Sequence, residues 1–435
     1  MSITDKLVAF ARAEPEAEAL TMMRLSLFDW ATCGIAGAGE AEFAGFRAAV
    51  SRSEGPGQAA LLGGGSALPP TAALINGTLS HALDCDDTHF AHIGHPSVAV
   101  VPAALALARP TQASFDEVLA AALIGVEASI HVGLWLGRSH YQAGFHQTAT
   151  AGAFGATLAA GRLLSLSPDQ LRHALGLCAS LASGIKAQFG TGGKPMNAGL
   201  AARSGVEAAL WAQGGLTGAA DGLAGPLGFG ATHHGSADDE HLRRLGQAPW
   251  HITSISHKFH ACCHGLHAML EAIRGMNFTV EDFEHVQVFT NPRWMSVCNQ
   301  TDPDTGLAAK FSYRHTAAMA LSGIDTLDPD SFSDAWSRHP QLVALRQKVD
   351  VLADETLSEM QCRVEIATVS GQKRIRSHDL ADTIPIAARR EKLQNKARAF
   401  LGQAAAEALW QAVDTSDLPA FEAALMRSKT VAKQP

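Results

Sequence analysis

Apolar positions in the first half of the chain follow the repeat of an α-helix. Leu25, Phe28 and Ile35 fall on one face of a 3.6-residue period. The stretches 114–136 and 197–214 are long and rich in Ala, Leu and Val. Strands do not alternate with helices before about residue 280. The pattern predicts a helical first half and argues against a Rossmann sheet.

Two local features refine these predictions. Ser167, Pro168 and Gln170 supply an N-cap, a proline at the first helical position and a capping glutamine, so a helix begins here. The apolar run 97–108 is too short to cross a membrane and predicts a core helix.

The pattern changes after this helical half. Residues 285–290 and 363–369 alternate with period two. The second run meets Gly371 and continues into 373–376, which predicts a β-hairpin. A helical segment, 312–322, lies between the strands. The middle of the chain therefore predicts a compact α+β domain.

The resulting order predicts three segments. They are a helical part over 1–256, an α+β part over 257–388, and a helical part over 389–435 that packs back onto the first. A chain of 435 residues exceeds an ordinary single core, which agrees with more than one domain.

Composition narrows the classes of function. A net charge of −8 argues against a nucleic-acid footprint. The N-terminus lacks a basic stretch followed by an apolar run, so we expect no signal peptide and no membrane partner. Seven irregularly spaced cysteines do not form a disulfide framework, which predicts reduced thiols and a cytoplasmic protein. The low charge content favours a homo-oligomer.

The segment from His81 to His95 is the richest in titratable groups. It holds four histidines and three aspartates within 15 residues. Three interpretations stay open: a metal site, helix-capping acids beside solvent-facing histidines, or an acid/base cluster in a cleft. The spacing matches no zinc pattern, which weighs against the metal.

Two further segments offer polar groups at helix starts. His146 follows Gly144 and precedes a small-residue helix, where tight packing can hold its ring at a cleft. The glycine-rich turn 190–195 ends in Lys194 and Pro195. Because Pro195 replaces the Ser or Thr of a phosphate loop, we reject nucleotide binding. Backbone N–H groups, a helix dipole and the Lys194 ammonium can still bind a carboxylate.

The junction 258–267 holds two cysteines and three histidines in eight of its residues. A zinc site is unfavourable because ligands so close in sequence cannot easily surround one ion. Thiol catalysis would need a stabilised thiolate, and buried structural cysteines are the plainer interpretation. Lys258, with Cys263 or His264, remains a candidate to line a cleft.

With these segments together, the chain resembles the MmgE/PrpD family over essentially its whole length. The matching motifs are HALDCDDTH with HPS, GFHQTATAGAFGA, the Gly-Lys-Pro turn before MNAGLAA, KFHACCHGLH and AKFSYRHTAAMAL. The resemblance implies a mainly α fold: a large all-helical domain built from both ends of the chain, a smaller α+β lid domain, and an active site between them. It also implies a homodimer and no metal, nucleotide or organic cofactor.

The resemblance also implies site residues, carried over motif by motif. The matching positions are Asp84, Thr88, His95, His146, Lys194 and Lys258. This chain departs from the family at two positions: Cys263, beside His264, stands where some members have His, and His315 stands where members often have Tyr. One extra residue also separates Thr88 from His95.

Together these residues predict proton chemistry at carbon next to a carboxylate of a small polycarboxylic acid. Lys194 and Lys258 would hold the carboxylates, with Thr88 and Cys263 also in contact with the substrate. His95 and His146 would act as base and acid, and Asp84 would orient an imidazole.

Several reactions share this first step. The extra imidazoles of His264 and His315, and the similarity of the junction to iminodisuccinate epimerase, favour epimerisation of an iminodisuccinate-type substrate. A 2-methylcitrate-type dehydratase or cis-aconitate-type decarboxylase is the alternative. Rivals of other classes are a non-catalytic dicarboxylate-binding protein and a metallohydrolase using the first His/Asp segment.

Overall fold

The computed structural model describes residues 2–233, 235, 238–276 and 283–427, so the end of the predicted segment 389–435 lies outside the described residues. The chain divides into two compact units. The first combines Met1–His257 with Leu401–Pro435, and the second is Lys258–Phe400. With 59% helix and 10% strand, the fold is mainly α.

The first unit is built from helices and one very short hairpin. Its helices are α1 (Ile3–Phe10), α2 (Ala17–Gly37), α3 (Ala41–Glu54), α4 (Pro69–Ser80), α5 (Pro96–Thr111), α6 (Phe115–Gln142), α7 (Gln147–Leu163), α8 (Pro168–Leu181), α9 (Gly193–Gln213), α10 (Phe229–Thr232) and α11 (Asp239–Arg243). The hairpin pairs β1 (Ala59–Ala60) with β2 (Ser66–Ala67).

The helices begin where the sequence predicts. Ser167 caps α8 in a complete capping box with Gln170, and Ser114 caps α6 in the same way with Glu117. The predicted core helix is α5, which is almost entirely buried. Helix α9 begins at Gly193, so Lys194 lies in its first turn. The helical predictions for the first half are therefore confirmed.

Glycine lets the inner helices approach at backbone distance. A Cβ on Gly155 of α7 would collide with the carbonyl oxygen of Gly125 of α6, and one on Gly125 would collide with Gly155 in return. A Cβ on Gly199 of α9 would collide with the carbonyl oxygen of Leu74 of α4. Helices that lack side chains at such points pack with almost no space between them. Helices α4, α5, α7 and α9 therefore pack closely together.

Helix α6 is long and apolar enough to cross a membrane by length and composition alone. Its most apolar window has a mean hydropathy of 1.7. However, 89% of that window is buried inside the protein, as in the core helix of a soluble protein.

The second unit surrounds a four-stranded sheet of order β4-β3-β5-β6. Its strands are β3 (Phe283–Thr290), β4 (Val349–Ala353), β5 (Gln361–Thr368) and β6 (Lys373–Asp379). Its helices are α12 (His267–Arg274), α13 (Pro292–Val297), α14 (Gly306–Ala309), α15 (Tyr313–Leu321), α16 (Asp334–Ser337), α17 (Pro340–Arg346) and α18 (Ile386–Leu401). Beyond it, α19 (Gln403–Asp414) and α20 (Leu418–Leu425) belong to the first unit.

The sheet confirms the predicted strands and adds one. Strands β5 and β6 pair antiparallel across Gly371, as the hairpin pattern indicates. Strand β3 pairs antiparallel with β5 and parallel with β4. The sequence analysis missed β4 because its five residues carry too little alternation to stand out. It also missed the short hairpin β1–β2.

The contact between α6 and α7 predicts a large effect of one added methyl group. Gly155→Ala must push two helix backbones apart, so we expect about 1–3 kcal/mol of destabilisation. Gly45→Ala in α3 is the control, because a Cβ there meets no atom within 4 Å. Urea unfolding followed by circular dichroism measures both, and equal midpoints for the two variants would contradict the packing argument.

Candidate active site

Titratable side chains meet where four helices of the first unit end or begin. They are His81 after α4, Asp84 and Asp86 between α4 and α5, His95 before α5, His146 before α7, and Lys194 in the first turn of α9. We call these six residues the imidazole–carboxylate cluster. The rings of His81 and His95 are 4.5 Å apart, and those of His81 and His146 are 6.2 Å apart. The close packing of the helices brings these ends together.

Asp86 is the buried centre of the cluster. Its two carboxylate oxygens face Nδ1 of His81 at 2.9 Å and Nδ1 of His95 at 2.7 Å. Burial alone would raise the pKa of Asp86, but the two imidazoles lower it well below its usual range. The ionised carboxylate accepts a hydrogen from each Nδ1 and so fixes both rings, leaving both Nε2 atoms for other partners.

Asp84 lies at the more exposed edge of the cluster. Its side chain is 34% exposed and contacts Nζ of Lys194 at 2.7 Å and Nε2 of His95 at 3.4 Å. The residue has a φ of 53°, in the left-handed region that few non-glycine residues adopt. Such backbone strain is common at functional sites. Because a carboxylate faces each ring nitrogen of His95, this ring can donate a hydrogen bond from both nitrogens when it is protonated.

His146 is held in its neutral form. Asn197 in α9 donates a hydrogen bond from Nδ2 to Nδ1 of His146 over 3.2 Å. Because Nδ1 accepts, the ring hydrogen resides on Nε2. Burial lowers the pKa of His146 well below its usual range, and the charges of His81 and Lys194 lower it further. His146 is therefore a neutral N–H donor.

Phe189 forms an apolar edge beside these groups. Its ring is 5.0 Å from the ring of His146, edge to face, and 5.4 Å from Nζ of Lys194. The side chain is 39% exposed, so it is open to contact from outside.

Of three other residues in the same segment, Asp87 and His89 have structural partners, and His92 is buried. Asp87 caps α5, accepting hydrogen bonds from the backbone and hydroxyl of Ser97. Burial, with nearby Asp29 and Asp86, raises the pKa of Asp87 to about 7. His89 contacts the Ser254 hydroxyl at 3.0 Å. His92 is fully buried, and burial lowers its pKa to about 3.

The cluster also has the composition of a metal site. His81, Asp84, Asp86 and His95 each offer a ligand atom, and these atoms lie within 4.8 Å of one another. Their carboxylates already face cationic or N–H groups, so a divalent cation would displace Lys194 from Asp84 and both rings from Asp86. The absence of a metal stays a prediction.

Thr88 is the other predicted site residue of the first unit, and it contacts Ser256. Thr88 forms a two-way backbone pair with Ser256: its N–H donates to the Ser256 carbonyl at 2.9 Å and its own carbonyl accepts at 2.8 Å. Its proposed role in substrate binding stays a prediction.

The remaining predicted residues belong to the second unit. Lys258 is buried, and His264 lies with its ring 4.7 Å from that of His267. Sγ of Cys263 is 3.1 Å from Sγ of Cys298.

His315 lies in α15 and is fully buried. Burial, together with the nearby charge of Arg346, lowers its pKa to about 4. Its ring is therefore neutral at neutral pH.

The sequence analysis missed the roles of His81, Asp86 and Asn197. It noted His81 and Asp86 in a dense segment but had no basis for choosing among seven titratable groups. The available signal was position: a histidine at a helix end, followed five residues later by an acid that the next helix buries. No local signal pointed to Asn197, since its partner is 51 positions away.

The chain is similar to two protein-family models and to several known proteins. The chain matches the MmgE/PrpD N-terminal domain over residues 2–242 and the MmgE/PrpD C-terminal domain over residues 260–418. It is 29% identical to a cis-aconitate decarboxylase of Aspergillus terreus over 62% of this chain and 60% of that protein. The human cis-aconitate decarboxylase is 30% identical over 65% of this chain and 62% of its own length. The mouse protein is 30% identical over 65% and 60%.

The matched region thus spans about 60% of the length of these relatives. They are decarboxylases, so they do not support the predicted epimerase. The two domain models match the chain in order, and residues 243–259 lie between the two matched regions. The chain belongs to the MmgE/PrpD family.

Proposed function

We propose that this chain is a lyase that decarboxylates a small unsaturated polycarboxylate of the cis-aconitate type. The observation that carries the proposal is the imidazole–carboxylate cluster at the helix ends, with Lys194 at its exposed edge. The names of the related decarboxylases support the type of reaction and substrate.

The cluster suits a substrate with several carboxylates. Helices α5, α7 and α9 all begin at it, and a helix N-terminus carries partial positive charge and N–H groups without partners in the helix. The Lys194 ammonium adds a full positive charge. A bound carboxylate would take the place of Asp84 on Lys194, while Phe189 would contact the carbon skeleton.

The reaction needs one electron pair stabilised and one proton delivered. When the C–C bond to a carboxylate breaks, CO₂ leaves and the bonding electrons shift through the neighbouring C=C bond onto the carbon that bears another carboxylate. Lys194 and the helix N-termini would stabilise that charge. A proton then bonds to the carbon, so that the substrate anion plus one proton gives the product plus CO₂.

Two imidazoles of the cluster would contact the substrate, and one of them would deliver the proton. His95 lies between two carboxylates that favour its doubly protonated form, and His146 carries its hydrogen on Nε2. We assign His95 as the general acid, with Asp86 as the residue that orients it. His146 would donate a hydrogen bond to the substrate.

The other expectations from the sequence stay proposals. They are a homodimer, a cytoplasmic location, and roles in the same reaction for Thr88, Lys258, Cys263, His264 and His315. Sedimentation of the purified protein would test the dimer.

Incubation with cis-aconitate in heavy water, followed by NMR, tests the reaction. We expect release of CO₂ and one deuterium at an end of the allylic system that its loss creates. Exchange of deuterium without loss of CO₂ would indicate reversible proton abstraction, as in an epimerase, and gain of water would indicate hydration, the reverse of dehydration. Binding without any turnover would overturn the enzyme assignment.

Exhaustive treatment with a chelator tests the metal alternative in the same assay. We expect full activity afterwards, because the carboxylates of the cluster are already matched by imidazole and ammonium groups. Loss of activity that a divalent cation restores would instead assign His81, Asp84, Asp86 and His95 as ligands.

Replacing Lys194 tests how the carboxylate is bound. Lys194→Ala removes the only full charge assigned to substrate binding in the first unit, so we expect kcat/KM to fall by about 10²–10³-fold. Lys186→Ala is the matched control: this lysine lies eight positions earlier, with its ammonium on the Tyr141 ring and carbonyl. Similar losses in both variants would remove the assigned role.

Replacing Asp86 tests the orienting role. Asp86→Asn removes the negative charge that stabilises protonated His95, so the pKa of the general acid falls. We expect kcat to drop by about 10²–10⁴-fold and the alkaline limb of the pH profile to move to lower pH. Asp169→Asn, an exposed ion pair with Arg172, is the control. An unshifted profile would limit Asp86 to a structural role.

A further inference from the structure

A pair of thiols in the second unit lies closer than two unbonded sulfurs normally do. Sγ of Cys298 is 3.1 Å from Sγ of Cys263. A disulfide bond needs about 2 Å between the sulfurs, so little more than 1 Å of movement would join them. The residues are 35 positions apart, and the fold brings them together.

Backbone and side-chain contacts hold the two segments against each other. The Tyr313 N–H donates to the Cys298 carbonyl at 3.1 Å, and the Cys263 N–H donates to the Lys310 carbonyl at 3.0 Å. The Tyr313 hydroxyl donates to the Gly265 carbonyl at 2.7 Å. Gly265 allows Trp294 to pack against the backbone there, where a Cβ would collide with the indole ring. The thiols therefore face each other on fixed supports.

The two cysteines differ in exposure and in hydrogen bonding. Cys263 is partly exposed, whereas Cys298 is fully buried. The Cys298 S–H donates to the Cys263 sulfur, and this contact, together with burial, raises the pKa of Cys298 well above its usual range. The sulfur of Cys263 is thus the one that an oxidant reaches first, and Cys298 is its buried partner.

Other cysteines of the chain lack these properties. Cys178 and Cys362 are both buried, and burial raises the pKa of each to about 12, so neither offers the partial exposure of Cys263. Cys33 and Cys85 are buried as well. Cys262 is adjacent to Cys263 in sequence and is buried, so it is the competitor that a test must separate.

We propose that Cys263 and Cys298 are a modification site, at which a peroxide forms a reversible intramolecular disulfide. In the first step the Cys263 thiol reacts with hydrogen peroxide to give a sulfenic acid and water. In the second step the Cys298 sulfur displaces hydroxide from the sulfenic sulfur, and its proton leaves with that hydroxide as a second water. Two thiols are oxidised, and one peroxide is reduced.

Mass spectrometry of the folded, full-length protein after limited peroxide tests the proposal. We expect a peptide that links Cys263 to Cys298, with the loss of two hydrogen atoms, and a thiol reductant should reverse it. The Cys362→Ser variant is the matched control and should give the same linked peptide. On a non-reducing gel the oxidised protein should migrate as a monomer.

Variants of each partner separate the two steps. In Cys298→Ser the sulfenic acid has no partner, so a cyclic diketone probe should label Cys263. Cys298→Ala gives the same test if serine disturbs this buried position. In Cys263→Ser we expect neither the link nor oxidation of Cys298.

Three outcomes would overturn the proposal. The first is oxidation of wild-type Cys263 to sulfinic acid without a link to Cys298. The second is a link from Cys263 to Cys262 or to another chain. The third is a Cys263 thiol that stays unmodified in excess peroxide.

Discussion

Backbone contact between glycine-rich helices is the constraint on which the candidate site depends. Gly125 and Gly155 let α6 and α7 approach until a carbonyl oxygen of each helix contacts the backbone of the other. Gly199 allows the same approach of α9 to α4. At such distances the helices cannot slide or rotate without collision. Their ends are therefore fixed relative to one another. A site made from the end of one helix and the starts of three others needs this precision, because each contributes a single reacting or binding group.

Charge in the cluster is arranged around one buried carboxylate. Isolated in the interior, ionised Asp86 would be very unfavourable, and two imidazoles stabilise it through direct hydrogen bonds. The same bonds fix which nitrogen of each ring is turned away from Asp86. Asn197 does this for His146 without adding charge. The cluster therefore contains two rings oriented by a carboxylate and one ring oriented by an amide. A carboxylate and an amide favour different protonation states of an imidazole.

Local features of the sequence predicted much of the fold. The capping box at Ser167 predicted where α8 begins, because it depends on residues within one turn. The hairpin of β5 and β6 followed from alternation across one glycine. Strand β4 was missed because a five-residue strand is stabilised by its distant partner β3. The second predicted domain boundary, at residue 389, falls inside the continuous helix Ile386–Leu401, where composition does not change.

Prediction of the site was limited in the same way. Features marked by neighbouring residues were found, and contacts between distant residues were not. His95, His146 and Lys194 stand at helix starts, which the sequence marks with glycine or proline. The importance of Asp86 depends on a ring five positions before it and another nine positions after it, and only the folded turn between α4 and α5 gives both contacts. Asn197 had no local marker at all. Motif resemblance supplied Asp84, since its pairing with Lys194 spans 110 positions.

The ion pair between Asp84 and Lys194 has a consequence for selectivity. In the proposed function, the Asp84 carboxylate occupies the Lys194 ammonium that an incoming carboxylate would need, so entry would be an exchange of one anion for another. An anionic ligand replaces what the lysine loses, and the exchange is close to balanced. A neutral ester or amide of the same shape would separate the pair without restoring a charge to the lysine. If the proposed function holds, the resting site contains an internal competitor that disfavours uncharged analogues before any chemistry begins.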